Sequence, residues 1–227
     1  MDQRPIKLSP SSLDLYLECP LCFWLDKARG IKRPPPYPYA LNAAVDILLK
    51  EEFDKYRAKD EPHPLMVAHN IPAKLFPDQE KLNEWRNNFR GLRYYDRSLD
   101  ATLFGAVDDV LQFQDGSLAP LDYKSTGSTV PRVYDRFQLQ MDVYTFLLEK
   151  QGYTANRKGC LAFYVVDKGN GFQDRLPFKK EIIMVDANPD YVQKLFAEAV
   201  NFLRRDPPAS HSPDCKFGQW IREVNNL

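Results

Sequence analysis

Apolar positions recur first at helical spacing, then in alternation and short runs, then at helical spacing again. Ser9 followed by Pro10 reads as an N-cap with proline at the first helical position. The helix behind it is expected to carry Leu13, Tyr16, Leu17 and Trp24 towards a core. The proline-rich stretch RPPPYPYA, residues 33–40, reads as a connector. Beyond it, Leu41, Val45, Leu48, Leu49, Phe53 and Tyr56 fall on one side of a strong helix, with Asp46 at the edge of that side. A third helix is predicted around Gln79 to Phe89.

The pattern then changes. TLFGAVDDVLQFQ and SLAPLDYKS read as two strands, joined by Asp115-Gly116-Ser117 as a tight hairpin. YDRFQLQMDVYTFLLEK returns to helical spacing, with Phe137, Met141, Tyr144 and Leu148 as its stripe. Strands follow at CLAFYVVD and EIIMVD, then a helix from Pro189 to Arg205 and an irregular tail, SHSPDCKFGQW. This order predicts an α/β fold: a mixed central sheet flanked by helices, with an N-terminal helical elaboration. We expect one domain over residues 1–227: a helical part at 1–95, a core at 96–206, and a tail at 207–227 packing near the N-terminus.

Composition narrows the function only a little. Lys+Arg and Asp+Glu both number 31, so bulk charge gives a nucleic-acid partner no support, although a local basic patch suffices for one. No apolar run approaches the roughly 20 residues of a membrane span. The first residues lack a signal-peptide core, since Asp14 and Glu18 interrupt it, and the chain reads as cytoplasmic. Four cysteines in 227 residues are too sparse for a disulfide scaffold.

The chemistry concentrates in the predicted hairpin. Asp122 and Lys124 are two apart, hence on one face of a strand. Asp108 and Asp122 lie at similar distances either side of the turn, so antiparallel pairing brings them together. Two carboxylates that close repel, and a divalent cation removes the conflict. Mg²⁺ takes oxygen ligands and keeps several waters, so two carboxylates and a backbone carbonyl suffice. A metal-activated water beside Lys124 suits hydrolysis of a phosphodiester. Taken alone, the hairpin also fits ordinary surface charge.

Four motifs in order carry a resemblance. They are S-x-S-x-L-x-x-Y-x-x-C-P (Ser9, Ser11, Leu13, Tyr16, Cys19, Pro20), G-x-x-D (Gly105, Asp108), D-x-K (Asp122, Lys124) and Q-x-x-x-Y (Gln140, Tyr144). Together they resemble the RecB-like branch of the PD-(D/E)XK nucleases, including its CRISPR-associated exonucleases. The resemblance implies a restriction-endonuclease-like core and a metal-dependent deoxyribonuclease acting in DNA repair, recombination or mobile-element defence. Asp108, Asp122 and the Tyr123 carbonyl would hold Mg²⁺ or Mn²⁺, and Lys124 would be the catalytic lysine. Gln140 and Tyr144 would contact the substrate or support the site. Many relatives carry a histidine on the early helix. Here Asp46 stands at the corresponding position, either as a further oxygen ligand or simply paired with Lys50 at i,i+4. The expected partners are DNA, with single strands or ends favoured, and a helicase or nuclease-complex subunit. The competing reading is a nucleic-acid-binding subunit that has lost catalysis. A hydrolase of small nucleotides is a more distant third.

Several such nucleases join their ends through a four-cysteine iron–sulfur cluster. Here Cys19 and Cys22 form an early C-x-x-C, but only Cys215 lies late, with Gly218 where a fourth cysteine would stand. That set is incomplete for a cluster. Zinc accepts three cysteines and one histidine, and His211 is close to Cys215. Ends packed together without metal fit as well. Cys160, in an apolar strand, reads as a small buried hydrophobe. Arg132 and Arg136 precede the Gln140 helix and are the phosphate-contact candidates. Tyr37, Tyr39, Tyr94 and Tyr95 are candidates for stacking on unpaired bases.

Overall fold

A proline makes the first break. The single N-terminal helix expected from periodicity is two helices that meet at Cys19, whose backbone is extended (φ −154°, ψ 99°). Pro20 lacks the N–H that would continue the first helix and disfavours helical backbone in the residue before it. Leu17, expected in the core, is therefore left exposed. The structure is a computed structural model and describes residues 5–35, 40–169, 171–172 and 174–226. Tyr37 and Tyr39 lie outside the described residues.

In chain order the elements are β1 (Ile6–Leu8), α1 (Pro10–Glu18), α2 (Pro20–Arg29), α3 (Ala40–Arg57), α4 (Pro64–Ala68), β2 (Ala73–Leu75), α5 (Gln79–Arg86), β3 (Leu92–Asp96) and β4 (Ala101–Gly105). They continue with β5 (Asp109–Phe113), β6 (Leu118–Thr126), α6 (Asp135–Lys150), β7 (Lys158–Val166), β8 (Phe178–Asp186), α7 (Val192–Leu203) and α8 (Lys216–Asn225). They fall into two compact units. One comprises residues 1–38, 95–104 and 191–227, the other residues 39–94 and 105–190. No described helix is long and apolar enough to cross a membrane.

The first unit gathers both ends of the chain. β1 pairs in parallel with β4, and α1 and α2 pack against α7. Tyr16, Phe23 and Phe202 form its aromatic centre, with ring centroids 5.2–6.4 Å apart. The tail is not irregular throughout: Cys215 caps α8, its sulfur accepting the Gly218 N–H at 3.4 Å.

The second unit is a mixed five-stranded sheet in the order β2-β5-β6-β7-β8. Only β6 and β7 run parallel; the other neighbours are antiparallel. α3 and α4 cover one face, where Leu49, Phe53, Leu65 and Met66 pack on Leu121, Tyr123, Cys160 and Ala162. α6 packs on β6 and β7, and Met141 sits so close to Gly159 that a Cβ there would meet its side chain at 2.6 Å. The stripe of α3 is narrower than expected: Leu49, Phe53 and Arg57 point inward, while Leu41 and Leu48 are exposed. This mixed α/β sheet flanked by helices is the restriction-endonuclease-like architecture expected.

One difference changes the site. TLFGAVDDVLQFQ is not one strand. It divides into β4 and β5, which belong to different sheets, and Ala106–Asp108 joins them. Backbone groups at the joint bond elsewhere: the Val107 N–H donates to Trp85 O (3.2 Å), and Ala106 O accepts from the Tyr144 hydroxyl (2.7 Å). Asp108 therefore lies just before the hairpin ladder, which begins at the pair Asp109–Leu121.

Candidate active site

The β5–β6 register places Asp108 beside Asp122, because one further step along the ladder would make them opposite partners. Asp108 Oδ2 accepts the Tyr123 N–H (3.1 Å), and the two carboxylates are within hydrogen-bonding reach. Asp122 is almost wholly buried. Burial, reinforced by the Asp108 charge and opposed by Lys124, pushes its carboxyl up to about 7. Lys124 Nζ is 2.5 Å from Asp122 Oδ2. That contact is a close ion pair against the buried carboxylate.

Strand alternation sorts the neighbours. Asp122 and Lys124 share the face towards α6, while Tyr123 turns into the core beneath α3. From Lys124 a chain of bonds runs outward along α6. Lys124 Nζ donates to Gln140 Oε1 (3.1 Å), Gln140 Nε2 donates to the Tyr144 oxygen (2.9 Å), and the Tyr144 hydroxyl donates to Ala106 O. Gln140 and Tyr144, a helical turn apart, thus tie Lys124 to the joint that carries Asp108. Gly105 makes room for this. A Cβ there would meet Tyr144 Cε1 at 2.5 Å. Burial raises the Tyr144 pKa, so its hydroxyl remains a donor.

Asp46 is paired with Lys50 at 2.7 Å, as the i,i+4 spacing allows. Lys50 reaches further, to Asp108 Oδ1 at 2.9 Å. Burial works against the Lys50 charge, but Asp108 and Asp46 outweigh it and hold the ammonium above its ordinary value. Asp46, Asn42, Lys124 and Ser125 line an opening next to Tyr123. The bridging role of Lys50 was not legible in the sequence, where only its pairing with Asp46 could be seen.

Beneath the site lies a network that sequence reasoning missed. Asp109 is fully buried and accepts from Arg57 (2.6 and 2.7 Å), Arg86 (3.0 Å), the Tyr123 hydroxyl (2.8 Å) and the Val110 N–H (2.7 Å). Asp54 balances the second positive charge through Arg86 (2.7 Å) and Arg57 (3.3 Å). Arg86 also donates to the Asp108 carbonyl at 2.6 Å. The adjacent aspartates of GAVDD therefore do opposite things: Asp108 faces the site, and Asp109 anchors the strand beneath it. The doubled acid was the only signal available.

The basic candidates are drawn up along α6. Arg132 lies over the Tyr134 ring, Arg136 over Tyr134 and Phe137, and Lys124 over Phe137 at 4.4 Å. Arg132 and Arg136 are exposed. Tyr94 packs edge-on against Phe146, and the exposed Tyr95 donates to Asp100.

In the first unit the structure brings Cys19, Cys22, His211 and Cys215 together, their ligand atoms all within 4.8 Å of one another. Cys160 is separate and buried in β7.

The model of the PD-(D/E)XK nuclease superfamily matches residues 33–220. No curated protein matches the sequence. Among solved structures the chain is similar to one titled "Crystal structure of SSO0001", at 12% identity and a TM-score of 0.45 over 91% of this chain and 81% of that one.

Proposed function

Since the chain belongs to the PD-(D/E)XK nuclease superfamily, we propose that it is a divalent-metal-dependent deoxyribonuclease of the RecB-like branch. The carrying observation is the buried Asp122 carboxylate held beside a second carboxylate, a concentration of like charge that a divalent cation would relieve. The donor set is hard oxygen, which suits Mg²⁺ or Mn²⁺. Asp108, Asp122 and the Tyr123 carbonyl would hold the ion, with Asp46 as a further ligand once Lys50 yields it. When bound, the ion lowers the pKa of a water and offsets charge on the phosphate.

The chain's own residues supply the rest. Lys124 is held by Gln140 and by the Phe137 ring, so its ammonium is fixed beside the reacting phosphate and stabilises charge developing there. Tyr144 keeps Gln140 in the orientation that accepts from Lys124. Arg132 and Arg136 bind backbone phosphates and set the strand's path. Single strands or ends as substrate, exonucleolytic action, a helicase partner, and a role in repair, CRISPR adaptation or mobile-element defence come from the family resemblance.

One observation favours a rival. Lys50 already forms ion pairs with Asp46 and Asp108, as it would in a DNA-binding subunit without turnover. The test is cleavage of labelled single- and double-stranded DNA with Mg²⁺, Mn²⁺ or EDTA, beside Asp122→Ala. Metal-dependent cleavage lost in the variant supports the nuclease. DNA binding with no cleavage under either metal establishes the rival.

A further inference from the structure

We infer that Cys19, Cys22, His211 and Cys215 form a mononuclear tetrahedral zinc site, which fastens the N-terminal helices to the C-terminal helix, rather than the seat of an iron–sulfur cluster.

The separations discriminate. A tetrahedral zinc holds sulfur at about 2.3 Å and nitrogen at about 2.0–2.1 Å. The edges of such a tetrahedron are then about 3.8 Å between sulfurs and about 3.6 Å between sulfur and nitrogen. The Cys22 and Cys215 sulfurs are 3.7 Å apart. His211 Nδ1 is 3.3 Å from Cys22 Sγ, 3.5 Å from Cys19 Sγ and 3.9 Å from Cys215 Sγ. These four of the six edges match a polyhedron around one ion, and the remaining two, from Cys19 Sγ to the other sulfurs, lie within 4.8 Å. A four-iron cluster binds each thiolate at a separate corner and holds the sulfurs much further apart. Cysteine pairs of a disulfide would be in bond contact, and all four cysteines are free thiols.

The surroundings are built for thiolates. Cys19 stands at the N-cap position of α2, and Cys22 in its first turn. Cys215 caps α8 and accepts the Gly218 N–H. Both helix N-termini therefore turn their positive ends towards the sulfurs. Three thiolates and a neutral imidazole around a divalent ion leave one negative charge. Arg33 meets it: its guanidinium donates to Cys215 Sγ (3.4 Å), lies over the Phe217 ring (4.9 Å) and is steadied by Glu18 at 2.9 Å. Gly218 is where a fourth cysteine would complete a C-x-x-C. A Cβ there would run into His211 Cβ and Cγ, so the glycine and the histidine form one arrangement. His211 supplies the fourth ligand, and position 218 must be small to admit it.

The proposal is independent of the nuclease reading and is tested without activity. The full chain is purified anaerobically from cells supplied with both iron and zinc. Zinc, iron and acid-labile sulfide are then counted per chain. The expected result is about one zinc, with no iron or sulfide. Exchange into Co²⁺ should give thiolate-to-cobalt charge transfer and the intense ligand-field bands of a tetrahedral site. His211→Ala and Cys22→Ser should each lose the metal, while Cys160→Ser retains it. Iron with sulfide, or a wild-type chain without metal, overturns the inference. So does zinc retained at full stoichiometry in both site variants.

Discussion

Replacing Asp109 with alanine should unfold the second unit far more readily than replacing its neighbour Asp108 with asparagine. Asp109 has no exposed side-chain surface, and the side chains of its partners Arg57 and Arg86 are 2% and 10% exposed. Removing the carboxylate leaves two buried guanidiniums sharing Asp54 alone. Breaking a buried ion pair from one side costs about 3–5 kcal/mol, because the surviving charge is stranded. The Tyr123 hydroxyl also loses its acceptor, a loss within the same network and so not independent of that cost. Asp108→Asn is different. The asparagine oxygen can still accept the Tyr123 N–H, Lys50 keeps Asp46, and the like charge beside Asp122 is gone. Without added divalent metal its stability should change by less than about 1 kcal/mol. Urea titration followed by Trp85 fluorescence, in a Trp24→Phe, Trp220→Phe background, reports this unit. At a slope of about 1–3 kcal/mol per molar urea, Asp109→Ala should lower the midpoint by roughly 1 M or more. A loss under about 1 kcal/mol would refute the argument, and so would equal losses in the two variants.

Gly105→Ala should cost about 1–3 kcal/mol by pushing the Tyr144 ring, and less when combined with Tyr144→Leu, in a double-mutant cycle of unfolding midpoints. Gln140→Ala should leave the fold intact and, if the chain is a nuclease, slow single-turnover cleavage about 100-fold by releasing Lys124. A third expectation concerns pH. His63 is buried against Phe53, its Nδ1 accepts the Leu65 N–H (3.1 Å) and its Nε2 faces Glu52 (3.0 Å). Burial, only partly offset by Glu52, lowers its pKa. The unfolded imidazole takes up a proton near pH 6.5, while the folded one stays neutral. His63 therefore contributes full stability above that pH and loses it as pH falls towards the folded pKa. His63→Asn keeps an acceptor for the helix cap and should flatten the decline in urea midpoint between pH 7 and 5.

Most elements were legible locally. The capped start at Ser9-Pro10, the hairpin around Asp115-Gly116-Ser117, the α6 stripe through Met141, Tyr144 and Leu148, and the sheet-and-helix class all follow from periodicity and turn chemistry. Asp108, Asp122 and Lys124 could be brought together on paper because a hairpin's register follows from its turn. What failed needed information from outside the local window. The division of TLFGAVDDVLQFQ into two strands depends on Trp85 and Tyr144 claiming the backbone groups of the joint. Asp108 and Asp109 are identical in sequence terms, and only the two arginines beneath the sheet make one of them a buried anchor. Lys50 could be paired with Asp46 by spacing, but its reach to Asp108 depends on how α3 packs over β6. The cysteines show the limit most clearly. The sequence alone supplied three thiols and a histidine but left cluster, zinc and no metal open. Packing between residues 192 apart in the chain brings their ligand atoms within 4.8 Å of one another, and this three-dimensional closeness, which leaves no trace in spacing, is what supports our proposal of a single ion.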